Sequence, residues 1–264
     1  MDRRDFIKDV AVGGMLLRLS PGLFAQAQSR PDMAIVTGES PAAITREAMA
    51  AMGGIGRFIA KGDKVMIKPN IGWDRTPELG AGTNPEVVKA LVELCFEAGA
   101  KVPFVNPHKL KKMPLHGEWL KDWEVYTDFV EADKLINVPV VKHHNLCRLS
   151  IGMKNWIGGV GGPRNQLHQD LDKAVVDLAA FFKPTVTVLD CYRILMRNGP
   201  QGGRTSDVKL QKTSVISVDP VAADVVGAGF ADVAPEELAY IPLAKARGLG
   251  QFDLEKLRVE KRTI

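Results

Sequence analysis

Cysteine is scarce in this chain. Only Cys95, Cys147 and Cys191 occur in 264 residues, and no two form a CxxC pair. Neither a zinc ribbon nor an iron–sulfur cluster finds its usual ligand spacing, and an odd count argues against a disulfide framework. Aromatic residues make up only 6%, and the net charge of +4 comes from basic groups scattered among acidic ones. A nucleic-acid surface needs a denser basic stripe with interleaved aromatics, so nucleic acid is not an expected partner. No long apolar run is present. The stretch from Val10 to Leu17 is too short and too glycine-rich to span a bilayer. No GKS or GKT follows a glycine loop, which excludes a P-loop, and "GGVGG" (158–162) does not complete a dinucleotide fingerprint.

What is present begins with an address. Arg3-Arg4, Phe6 and Lys8 follow the twin-arginine pattern R-R-x-F-x-K. The short apolar stretch comes next, and Ala25-Gln26-Ala27 offers a small-x-small cleavage site. Residues 1–27 therefore read as a twin-arginine (Tat) signal peptide. That implies passage through the Tat export machinery and a mature chain in the periplasm, without a transmembrane span. The 264-residue chain is 45% hydrophobic and of ordinary charge, so residues 28–264 can form one large domain.

Short β-branched runs alternate with helical patterns along that domain. Strands are expected at 33–38, 64–70, 101–106, 134–142, 185–191 and 213–219. Helices are expected at 40–52, 84–99, 118–129, 167–182, 220–231 and 235–248, several with proline in the first turn. Residues 107–117 read as a basic loop. The alternation predicts a single α/β domain: a mostly parallel sheet with helices on both faces, Rossmann-like in layering but without a true dinucleotide fingerprint.

In such a sheet, ligands bind beyond the carboxyl ends of the strands. Those ends carry the chemistry here. One strand runs into Lys68-Pro69-Asn70, another into Lys142-His143-His144, a third into Asp190 with Arg193 beyond, and a fourth into Asp219. Lys142 and His144, two apart in an extended chain, share a face. "GMKN" adds Lys154 and Asn155 ahead of Gly161, Gly162 and Arg164, which would stand at the mouth of the 167–182 helix, where free N–H groups attract anions. A second glycine loop holds Gly202 and Gly203 between Arg197 and Arg204. Metal binding has candidate ligands in His144, His168 and Asp170, but at a spacing that fits no familiar motif.

The segments "KPNIGW", "INVPVVKHHNL", "GMKNWIGGVGG" and "RNGPQGG" together resemble the domain-of-unknown-function 362 family over about residues 33–230. Some members carry a ferredoxin-like iron–sulfur segment. This chain lacks the cysteines for one. It also departs from the family pattern at about residues 100–112, where a strand–helix stretch is missing.

The expected function is an exported enzyme acting on a small anionic substrate, or using an anionic or metal cofactor, with an oxidoreductase among the candidates. Lys68, Lys142, Lys154 and Arg193 would bind charge, and Asn70 and Asn155 would orient the ligand. His144 or His143 would move a proton, and Asp190 would fix a lysine or histidine and raise its pKa. A non-catalytic periplasmic binding protein or a cofactor-maturation partner is the alternative.

Overall fold

A computed structural model of the chain describes residues 30–264. The signal-peptide reading falls outside those residues. Among the described residues there are ten strands: β1 (Met33–Thr37), β2 (Val65–Pro69), β3 (Leu110–Pro114), β4 (Asp122–Tyr126), β5 (Lys134–Val138), β6 (Val140–His144), β7 (Arg148–Ser150), β8 (Val186–Leu195), β9 (Val208–Ser217) and β10 (Val259–Thr263). The α-helices among these residues are α1 (Pro41–Ala51), α2 (Pro85–Glu97), the single turn α3 (Thr127–Val130), α4 (Leu171–Phe182), α5 (Pro220–Phe230) and α6 (Tyr240–Ala246).

The main sheet runs in the order β10-β1-β9-β8-β5-β2, with β6 beside β8 and β7 folded back on β6. It is a mostly parallel α/β sheet in which β9 runs against both neighbours. Helices α1 and α2 cover one face. Ile44, Met49 and Leu91 pack there with Val36, Val65, Ile136 and Val188. On the other face Val175, Leu178 and Phe182 of α4 and Val221 and Val225 of α5 pack with Ile241 and Trp156. Helix starts are chemically specified. Ser40 Oγ accepts from Ala43 N at 3.3 Å, Asn84 Oδ1 from Glu86 N at 3.0 Å and Asp219 Oδ1 from Ala222 N at 2.8 Å.

Several sequence expectations change here. Residues 101–106 are not a strand: Lys101 makes one bridge to Lys64, and Pro103 has no N–H with which to continue a ladder. The basic loop and the helix expected at 118–129 are instead the antiparallel hairpin β3–β4, which ends in α3. The alternation that buries Val125 between exposed Glu124 and half-buried Tyr126 marks it as strand. The run 134–142 is two strands broken at Pro139, whose carbonyl accepts from Asp190 N at 2.9 Å. The helix expected from 167 begins at Leu171, after a 3₁₀ stretch Arg164–Asp170. β10 was not foreseen, because "VEKRT" is a charged strand pairing with β1 at the sheet edge.

The hairpin is fastened by one buried carboxylate. Asp177 of α4 accepts from the N–H groups of Glu118, Trp119 and Leu120 at 2.8–2.9 Å and from Arg247 at 2.6 Å. Burial works against its charge, but the donors from Leu120, Arg247, Glu118 and Trp119 prevail and hold its pKa below the ordinary carboxylate value. Asp177→Ala strands three N–H groups and a guanidinium. It is expected to cost about 3 kcal/mol or more in urea unfolding, and a loss under about 1 kcal/mol would show that the hairpin is not secured this way.

Candidate functional site

The strand tips do converge, around an amide. Asn155 lies in the 3₁₀ stretch Met153–Gly159. Its neighbour Trp156 anchors that stretch by stacking on Phe182 at 4.5 Å, with Phe129 edge-on to both rings. Asn155 Oδ1 accepts from Lys68 Nζ at 2.9 Å and from Asn70 Nδ2 at 3.2 Å. Its Nδ2 donates to the Lys68 carbonyl at 3.1 Å and to Asn137 Oδ1 at 2.9 Å. Asn70 Oδ1 in turn accepts from Lys142 Nζ at 3.0 Å, and Lys142 also donates to the Ala81 carbonyl at 2.5 Å. Thr83 ties the intervening loop down: its Oγ1 accepts from Asn70 N at 2.8 Å and donates to the Val138 carbonyl at 2.7 Å.

Lys68, Lys142 and His144 are buried. Lys154 is half-buried, with Arg164 and His168 exposed at the rim. Burial first, then Lys142 and Arg164, brings the Lys68 pKa down to about 7. Burial, then Lys154, brings Lys142 to about 8. Lys154 is lowered by its own burial. No carboxylate acts on any of these three lysines, and none of them forms an ion pair among the described residues. Gly158 is exposed directly over Lys68: a Cβ there would lie 2.7 Å from Nζ.

The histidines divide as alternation requires. His143 Nδ1 accepts from Gly199 N at 3.1 Å, beside the second glycine loop. His144 lies on the lysine side and is lowered to about 4 by burial and then by Lys154, His168, Lys142 and His143. Its Nδ1 accepts from Leu146 N at 3.2 Å, so the neutral ring carries its proton on Nε2 and presents a donor. Metal ligation by His144 would need a lone pair that this tautomer does not offer. Asp170 is engaged in capping α4 and pairing with Lys173, and His168 Nδ1 lies 3.3 Å from the Asn165 carbonyl. Among the described residues, no three His, Cys, Asp or Glu side chains are grouped to hold a metal ion.

Other expected site residues bond to groups other than the lysines. Asp190 holds no lysine or histidine. It accepts from Asn84 N at 2.7 Å and Tyr192 N at 3.0 Å, and burial raises its pKa against those bonds. Arg193 sits with its guanidinium 5.0 Å from the Tyr192 ring and lines a separate cavity of about 520 Å³ with Glu39, Glu78 and Asn84. The anion site expected at the α4 start is filled by Asp170, the chain's own carboxylate. Arg197 pairs with Asp207 at 3.5 Å. Gly161 packs against Leu110 and Gly162 against Glu124 of the hairpin, Gly202 against Leu195, and Gly203 is exposed.

Two participants escaped the sequence reading. Asn137 and Asp224 each sit inside an apolar run, "LINVPVV" and "PVAADVVGA", and a polar residue buried in such a run needs a partner. Asn137 Nδ2 donates to the Gly152 carbonyl at 2.9 Å. Asp224 accepts from Gly152 N at 2.7 Å and Met153 N at 3.1 Å.

Comparison with known proteins adds two findings. Residues 65–107 and 97–229 match the family described as Domain of unknown function (DUF362). The matched segments overlap at the stretch that leads from α2 towards the hairpin. A thylakoid-associated protein of Synechocystis sp. is 27% identical over 220 residues, covering 69% of this chain and 68% of that protein. Among the described residues, no helix is long and apolar enough to cross a membrane.

The depressed lysines have a signed consequence. Between about pH 7 and 10.5 the unfolded chain binds more protons than the folded one at Lys68, so this site's contribution to stability rises with pH across that window. The urea midpoint should therefore climb less between neutral and alkaline pH in Lys68→Met than in the unaltered protein. Equal slopes would show that the amine is not desolvated.

Proposed function

We propose, for a chain that belongs to the DUF362 family, that the lysine cluster binds a small carboxylate- or phosphate-bearing molecule and that the protein is an exported enzyme acting on it. The observation that carries this reading is three desolvated lysines sharing one site with no carboxylate among the described residues to balance them. Burying like charges together costs free energy, and an external anion supplies the missing partner. Lys142, Lys154 and Arg164 provide charge, and the Nε2–H of His144 provides a neutral donor. Asn70 and Asn155 hold the lysines in place.

Proton transfer falls to Lys68. The expectation that His144 moves a proton gives way, because that imidazole stays neutral far below pH 7 with Nδ1 already engaged. Lys68 is the group poised near neutrality, beneath the exposed Gly158. A lysine amine so placed can take a proton from a carbon or oxygen held beside the bound anionic group. The periplasm and the Tat route belong to the same proposal and rest on residues 1–27.

Titration calorimetry with orthophosphate, pyrophosphate and malonate tests the binding step. At least one is expected to bind one-to-one and raise Tm, with proton uptake near pH 8 as the anion draws protons onto the lysines. Affinity should fall as pH rises through the lysine pKa values, and Lys142→Met should weaken binding by about tenfold or more. No heat and no Tm shift with any of the three would remove the reading. Binding without turnover of any anionic substrate would favour the non-catalytic alternative.

A further inference from the structure

One buried carboxylate stands outside the reading above yet connects to it. Asp224 is fully buried in α5, which packs close through Gly227, whose Cβ position is 2.8 Å from Ile151 and 3.2 Å from Val141. Both carboxylate oxygens are used: Oδ1 takes the Gly152 N–H and Oδ2 the Met153 N–H. The approach is tight enough that a Cβ on residue 152 would lie 2.5 Å from Oδ1, so only glycine fits. The same peptide of Gly152 is held from its other side, where Asn137 Nδ2 donates to its carbonyl. Asn137 then accepts from Asn155, and Asn155 accepts from Lys68 and Asn70.

We infer that Asp224 is a positioning residue for the anion site, setting Asn155 and, through it, the Lys68 ammonium by a continuous run of hydrogen bonds from α5. This deepens the reading of the lysine cluster and rests on it for its functional meaning. The physical argument is one of accounting. Two donors on adjacent peptides need two acceptor oxygens at one end of a buried side chain, and only an ionised carboxylate offers both without a competing proton. Losing one acceptor leaves a buried N–H unpaired at the start of the 3₁₀ stretch that carries Lys154 and Asn155.

The carboxylate's surroundings make this link sensitive to pH. Burial, opposed by the Met153 and Gly152 N–H bonds and reinforced by Asp219, raises the Asp224 pKa to about 7. From the elements packed on α5, namely β8, β9, α6 and the turns 153–159 and 235–237, the titratable group facing it is Tyr240. No lysine or arginine is ion-paired with it among the described residues. Protonation between neutral and mildly acidic pH would thus take away an acceptor and loosen the turn over the range in which Lys68 gains its own proton.

The test is nuclear magnetic resonance on the whole chain, with the Lys68 Nζ and Asn155 side-chain signals assigned by substitution. In folded Asp224→Asn, the Lys68 titration midpoint should move down by about one unit or more as the ammonium loses the Asn155 acceptor, and orthophosphate or pyrophosphate affinity should drop about tenfold. A folded variant with an unmoved Lys68 midpoint would overturn the inference. Should the variant not fold, Lys68→Met decides: with that amine gone, the Asn155 amide signal should still follow the Asp224 carboxyl titration with the same midpoint, and a flat signal rejects the link. Absence of anion binding in the unaltered protein would dismiss the functional reading alone, since the Lys68 and Asn155 signals judge the linkage without a ligand.

Discussion

The candidate site depends on one side-chain amide. Among the described residues, Asn155 is the only polar group that touches Lys68, Asn70 and Asn137 at once, and it does so with both ends in use. Lysine ammonium groups brought together repel, and an uncharged acceptor can hold them without neutralising them. A carboxylate at residue 155 would have formed internal ion pairs and used up the positive charge. An amide keeps that charge available for something else. The placement of the amide depends on the aromatic stack beneath it, where Trp156 and Phe182 lock the backbone that presents it.

Much of the architecture was legible because it follows from period and punctuation. Prolines 41, 85 and 220 with their capping neighbours mark three helix starts, and β-branched runs mark the strands between them. What was lost has physical causes. The hairpin β3–β4 was hidden by lysines and prolines whose charge and composition look like loop, although its alternation is strand-like. β10 is a charged edge strand with little apolar signal. Local preference does not report which partner a polar strand finds.

The site was half legible. Strand-end position singled out Lys68, Asn70 and Lys142, the GMKN stretch added Asn155, and they meet. The same rule also chose Asp190 and Arg193, which lie within β8 because that strand runs on to Leu195, and they serve other neighbours: the start of α2 and the Tyr192 ring. Sequence position gives the edge of the sheet but not the direction of a side chain there. Glycine-rich segments misled for a related reason. Most of those glycines accommodate the close approach of the hairpin or the second loop, and Gly158 is the one that lies over a lysine ammonium.

The break at Pro139 has a geometric consequence. Asn137 and Lys142 are five residues apart, so an unbroken strand would aim them to opposite sides of the sheet. Because β5 ends and β6 begins afresh, with a further slip in pairing to β8 between Val140 and Lys142, both reach the same network. The interruption is therefore a parity change written into the backbone. A straightened version of this segment, however well it packed, would place half of the polar constellation on the wrong side of the sheet.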